Sequence, residues 1–392
     1  MILFCAMLNS LAGIVVDLYA PSLPAIGREF HLSSAVVQDT IVFSIIGYAV
    51  GQLFFGLLSD WKGRRASILL GLTLFLLASL CAVSSHTLSM LLFARAVQGF
   101  AAGSAQVVSR AVLIDSLKRH RLEHAFVHLS VAFAIGLIAG PYVGGAIQQR
   151  LGWRWNFALY CIYSLILLLV ATIGLRESLP KAFRRTPHQN LTTFEEIARQ
   201  PAFVIYAFQL GCCFIGFTLW NQIGPGIVQR ELHHDPIYFG LTALAAGCAY
   251  LCGSLANRIL LQRTTAAQRM KSSLAFFLVG VLVISRSGNL LQLAWIVPGV
   301  TFCTFAQGLT FPNVLSKALT LFPERAGFAA SLQGFGMLVM GSAGLAFAAH
   351  LPQEKGIAVA SLYGGLLVLT VSALFMSNKL TTPDAENIGR IE

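Results

Sequence analysis

Gly56-Leu57-Leu58-Ser59-Asp60-Trp61-Lys62-Gly63-Arg64-Arg65 joins two long apolar runs, 35–58 and 66–84. Three cations and one acid sit in a turn short enough to reverse the chain, and Gly63 suits the tight backbone that such a turn needs. Runs of about 20 apolar residues match the thickness of a bilayer core. The stretch therefore reads as a hairpin turn at a membrane surface, with its cations placing it on the cytoplasmic side. Asp60 is out of character in so basic a turn, and a partner such as the positive N-terminus of a neighbouring helix would account for it.

The pattern repeats toward both ends. Of the 392 residues, 56% are hydrophobic and only 11% charged, against about 25% charged in soluble domains, and mean hydropathy is +0.73. Candidate spans run over 2–23, 35–58, 66–84, 88–114, 122–148 and 157–175, then 201–224, 237–257, 272–288, 290–312, 327–350 and 357–378. The ninth and tenth are separated only by residues 286–289. The first run lacks a basic leader and a small-residue cleavage site and carries Asp17, so it reads as a retained span rather than a signal peptide. With no tail before it, the true start is expected slightly upstream.

Charge distribution sets the topology. With the N-terminus inside, 19 of the 27 Lys and Arg residues fall in inner turns and six in outer turns, leaving Arg95 and Arg110 within spans. The bias recurs in both halves and places both termini in the cytoplasm. The net charge of +11 is thus spread over membrane-surface turns, and nucleic acid is not an expected partner. The eight cysteines are scattered apart from Cys212-Cys213, with no metal or disulfide spacing. No nucleophile–base set or phosphate loop appears, so neither an enzyme nor a cofactor is expected.

Residues 179–200 form the longest polar segment and divide the spans six and six, giving bundles at 1–178 and 201–392. Thr192 and Glu195 resemble a capping box that opens a short surface helix over 193–199. Asn190-Leu191-Thr192 matches a glycosylation acceptor but falls on the inner side. Gln98-Gly99 in the fourth span answers Gln307-Gly308 in the tenth, a weak repeat that fits two parallel halves around a central cavity.

Charged groups inside a bilayer cost roughly 2.5–3.5 kcal/mol each on insertion scales, so they mark function. Asp17, Arg95 and Arg110 lie deepest, with Asp39 and Asp115 near span ends. Asp17 and Arg95 both sit roughly 10 Å below the outer surface at 1.5 Å per residue, which makes them expected neighbours. Proton uptake by Asp17 would compete with an ion pair or a cationic substrate; the bland alternative is a fixed bridge between spans one and four. Arg110, one to two turns from Asp115, is expected to play a structural part there. In the fifth span, Gly136-Leu137-Ile138-Ala139-Gly140-Pro141-Tyr142-Val143-Gly144-Gly145 contains overlapping GxxxG spacings that let a second helix approach closely.

These residues resemble the major facilitator superfamily. Gly56 to Arg65 is similar to its inner-loop signature, in which Gly56, Asp60, Gly63, Arg64 and Arg65 act with Arg110 and Asp115 as a conformational switch. Leu92-Phe93-Ala94-Arg95-Ala96-Val97-Gln98-Gly99 resembles the span-four signature linked to proton coupling. Gly136, Gly140, Pro141, Gly144 and Gly145 fall on the antiporter signature, which favours export. Asp17-Leu18-Tyr19-Ala20-Pro21-Ser22-Leu23-Pro24 looks like the end of span one in bicyclomycin-resistance-type (Bcr/CflA) drug:proton antiporters. Arg110 to Asp115, Trp153 to Phe157 and Gly253 to Asn257 look like the same group. Gly253 to Arg258 is a degraded second copy of the inner-loop signature without its acid and paired cations. Some relatives carry a second acid in span one, where this chain has Asn9 and Ser10.

The resemblance implies an all-α integral membrane protein with twelve transmembrane helices in two six-helix bundles around a central cavity. It implies a monomeric antiporter of the bacterial inner membrane, driven by the proton gradient through Asp17 and Arg95, with a drug, metabolite or siderophore-like substrate. A proton-coupled uptake symporter and a non-transporting membrane receptor are the alternatives. Tyr19, Tyr48, Gln98, Phe214 and Trp220 are the candidate cavity residues; for each, packing in the core or against lipid is the competing reading.

Overall fold

A computed structural model describes residues 1–117, 119–180, 184, 197, 199–321 and 326–381. In hydrocarbon the backbone must satisfy its own hydrogen bonds, and a helix does so within one segment. The described residues are accordingly helical, with no strand among them. The helices are α1 (Ile2–Asp17), α2 (Leu23–Glu29), α3 (Ser34–Lys62), α4 (Arg64–Val83), α5 (Leu88–Ser116), α6 (Arg119–Leu151) and α7 (Arg154–Gly174). They continue as α8 (Pro201–Pro225), α9 (Pro236–Leu260), α10 (Ala266–Ser285), α11 (Leu293–Thr320), α12 (Ala326–Ala349) and α13 (Gly356–Thr381).

Among the described residues, twelve helical stretches are long and apolar enough to cross a membrane. α1 and α2 make one of them, bent at the 3-10 turn Ala20–Ser22, where Pro21 and Pro24 remove backbone donors. α8 runs on into a π-helical turn, Gly226–Glu231, directly after Pro225.

Several helices overrun the spans expected from hydropathy. α3 extends from Ser34 to Lys62 because the Ser33 hydroxyl caps its start and Gly63, at φ 106°, stops it. The ninth span starts at Ala266 rather than 272, since Thr265 and Gln268 form a capping box ahead of Arg269 and Lys271. It ends at Ser285, and the tenth begins at Leu293, with Gly288 at φ 58° turning the chain between them.

The chain packs as two compact units. One comprises Met1–Thr192, Thr218–Gly247 and Leu345–Leu351; the other comprises Thr193–Phe217, Cys248–Gly344 and Pro352–Glu392. α8, α9 and α12 thus each contribute to both, whereas the division at 178 and 200 assigned every helix to one half. In the first unit α3 packs on α5, α4 on α5 and α7, and α1 on α6 and α5. Phe75, Tyr160, Phe157 and Trp153 form an edge-to-face aromatic column there. In the second unit α10 packs on α11 and α13, and Tyr206, Leu210, Met270, Val314 and Ala318 form a buried cluster. Ile197 is buried with Phe203 and Leu332. Thr192, Glu195, Asn190 and most of the helix expected over 193–199 lie outside the described residues.

Candidate functional site

The basic turn that decides the fold is also densely hydrogen-bonded. Gly63 takes a positive φ that a side chain would strain, so α4 can open at Arg64 immediately after α3 ends. The Arg64 guanidinium then folds back. Nη1 donates to Asp60 Oδ1 at 2.6 Å and to Ser59 Oγ at 2.8 Å, and Nε donates to Asp115 Oδ2 at 2.9 Å. One arginine therefore bridges two carboxylates and ties α3, α4 and α5 together.

The acid at the α4 N-terminus is Glu177, not Asp60. Its carboxylate accepts from the Arg64 N–H at 2.8 Å and the Arg65 N–H at 3.3 Å, where free donors and the helix dipole favour an anion. Asp60 is held by Arg64 instead. Arg65 donates to the Thr172 carbonyl at 3.0 Å, and Ser178 donates to Asp115 at 3.2 Å. Gly56 keeps ordinary room toward Val107. Every partner in this cluster belongs to the first unit.

The structure does not bring Arg110 to Asp115. Arg64 occupies that carboxylate, and Arg110 is exposed, with no hydrogen bond or ion pair among the described residues. Tyr48 is its neighbour across the α3–α5 interface.

The second unit holds a counterpart of the Arg64 cluster without its acids. Arg269 of α10 donates to Asn313 Oδ1 of α11 at 3.2 and 3.0 Å, and Asn313 Nδ2 donates to Asn257 Oδ1 of α9 at 2.7 Å. The arginine-centred joint between three helices is kept, with asparagines where the first unit has carboxylates.

Asp17 and Arg95 are both buried, at 1% and 0% exposure, and lie within electrostatic reach of one another. No direct ion pair joins them. Arg95 Nη1 donates to Gln98 Oε1 at 2.8 Å, and Nη2 donates to the Val15 carbonyl at 2.8 Å. The guanidinium also stacks over the Tyr19 ring at 4.0 Å. Asn221 of α8 lies in hydrogen-bonding reach of the Asp17 carboxyl, whose Oδ1 has no partner. In place of a second span-one acid, Asn9 donates to the Leu129 carbonyl at 2.8 Å, and Ser10 is hydrogen-bonded to the Tyr163 hydroxyl at 2.6 Å. At the far end of this span, Gln229 donates to the Pro21 carbonyl at 2.8 Å and Arg230 to Ser34 at 2.9 Å.

The α6 glycines lie between α1 and α9. A methyl at Gly136 would meet the Ser10 carbonyl, one at Gly144 would strike the Leu18 carbonyl, and one at Gly145 would meet the Pro236 carbonyl. Gly140 keeps 3.5 Å to Leu18, so the closest approach to α1 is at Gly144. Pro141 lies inside α6, where its carbonyl abuts Gly240.

The aromatic and amide candidates are engaged with protein. Tyr19 is hydrogen-bonded to Thr40 at 2.8 Å, and Gln98 bridges Arg95 and Ser79. Trp220 donates to Thr242 at 3.0 Å, Phe214 packs against Gly341, and Tyr48 is 4% exposed. Sequence reasoning missed Asn221 and Glu177. The paired amides Asn221-Gln222 in an apolar span were a usable signal; nothing local marked Glu177.

With twelve spans, the arginine-bridged turn and the glycine-packed α6 in place, the sequence profile of the Major Facilitator Superfamily matches residues 2–377. The chain belongs to the Major Facilitator Superfamily. It is a multi-pass membrane transporter of that superfamily. It is 28% identical to the uncharacterized MFS-type transporter YdgK of Bacillus subtilis, over 86% of this chain and 85% of that one. Against Multidrug resistance protein D of Escherichia coli the identity is 26%, over 90% and 89%. A bicyclomycin resistance protein homolog of Haemophilus influenzae is 26% identical over 95% of each chain. In fold, this superfamily member is similar to a D-xylose–proton symporter, with TM-score 0.78 over 96% of both chains at 16% identity.

Proposed function

We propose that this transporter is a proton-coupled antiporter that exports a small molecule from the cytoplasm by alternating access. It sits in a bacterial inner membrane with both termini cytoplasmic. The observation that carries this reading is Asp17, a buried carboxyl with an unpartnered oxygen beside a buried arginine. A carboxyl there gains or loses its charge at high energetic stake, because the surroundings replace water with one cation and one amide. Protonation removes the attraction to Arg95 and changes what Asn221 can bond, which couples proton occupancy to the contact between α1 and α8. Multidrug and bicyclomycin resistance among the relatives' names supports export, as does the glycine-packed α6.

The test uses everted membrane vesicles energised to an acid interior and followed with a pH-sensitive dye. A compound that the intact strain excludes should alkalinise wild-type vesicles. Asp17→Asn vesicles should show no alkalinisation while still exchanging labelled substrate. If no excluded compound alkalinises the wild type, antiport is wrong.

A further inference from the structure

Two arginines lie within the spans of the first unit: Arg95 near Asp17 toward one end of α5, and Arg110 toward the other. Asp17 lies in reach of Arg95, whereas Arg110 makes no ion pair among the described residues. Arg110 stands six residues before the end of α5, roughly 9 Å along the helix at 1.5 Å per residue. A charged side chain at that depth does not face hydrocarbon without large cost. It is nevertheless exposed, and Arg64 occupies the carboxylate that could have neutralised it.

The side chains around it are polar. Gln106 stands one turn before Arg110 on α5, and Tyr48 and Gln52 stand one turn apart on the facing stretch of α3. Gln52 Nε2 donates to Gln106 Oε1 at 2.5 Å, fixing both amides side by side. The Tyr48 hydroxyl is buried, with the Gln52 amide as its near neighbour. The wall thus offers one unpaired cation, a tyrosine hydroxyl and a clamped amide pair, with no acid among them.

We propose that Tyr48, Gln52, Gln106 and Arg110 form the substrate-recognition wall of the first unit and that the exported molecule carries a carboxylate. This rests on the export reading above and narrows its substrate to organic monoanions, with Arg110 pairing the carboxylate and Tyr48 donating to it. Loading an anion here would give Arg110 the ion pair it lacks among the described residues. A lipophilic cation would meet like charge at the same place.

The test is equilibrium dialysis of the full-length protein in phosphatidylcholine nanodiscs against three matched probes: 4-phenylbutyrate, 4-phenylbutyramide and 4-phenylbutylamine. The carboxylate should bind at least about tenfold more tightly than the amide, and the amine should bind least. Arg110→Gln should remove that preference, Arg110→Lys should keep part of it, and Tyr48→Phe should weaken carboxylate binding severalfold. Binding led by the amine or the amide, or by no probe at millimolar concentration, overturns the proposal. So does a carboxylate preference that survives Arg110→Gln. Nanodiscs containing phosphatidylglycerol supply the lipid arm: if that lipid abolishes carboxylate binding, a headgroup rather than substrate is the occupant and the proposal fails. The vesicle assay separates the two readings. Alkalinisation driven only by amines leaves antiport standing and sinks the anion class; carboxylate binding without any substrate-driven proton movement does the reverse.

Discussion

Arg64 serves its two carboxylates through different nitrogens, Nε toward Asp115 and Nη1 toward Asp60. A lysine has a single ammonium at the tip of a flexible stem and cannot present that fork. Arg64→Lys should therefore cost about 1.5–3 kcal/mol, the range for hydrogen bonds to charged groups. The melting midpoint in detergent should fall and transport should weaken with protein still in the membrane; an unchanged midpoint and rate would remove the bridge from the account. Asp60 and Arg64 were legible in the sequence because they are close neighbours in a short motif. Glu177, which caps the same turn from 113 residues away, was not. The structural part expected of Arg110 near Asp115 does not take the form of an ion pair, because Arg64 reaches that carboxylate from the next helix.

α6 shows what a spacing rule can and cannot give. The recurrence of glycine at 136, 140 and 144 announced a close helix approach, but not which glycine is nearest the neighbour. A methyl at Gly144 collides with the Leu18 carbonyl, whereas Gly140 has normal van der Waals room. Gly144→Ala should then cost about 1–3 kcal/mol, as overpacking of a tight interface does. Gly140→Ala should be nearly silent. Heating membranes and measuring the folded fraction by fluorescence-detected gel filtration ranks the two, and equal losses would contradict the packing described. Span existence was readable from hydropathy throughout. Span ends were not, because a capping residue such as Thr265 starts α10 ahead of charges that a hydropathy reading excludes.

At the scale of the whole molecule, twelve spans followed from run length, and their orientation is a proposal from the placement of Lys and Arg. A C-terminal fusion tests it: green fluorescent protein should fluoresce there, while alkaline phosphatase should stay inactive, and the opposite pair of results would invert the topology. The packing units were not legible, since α8, α9 and α12 are continuous in sequence yet contribute to both. The same holds for the link between Asp17 and Asn221, which joins the first helix to the eighth. That link bears on the central claim, that Asp17 carries the proton. Its most direct test is proton release on substrate binding, followed with a pH indicator in weakly buffered detergent solution for wild type and Asp17→Asn. Substrate should release protons from the wild type and none from Asp17→Asn, which still binds it; undiminished release from the variant would contradict the account.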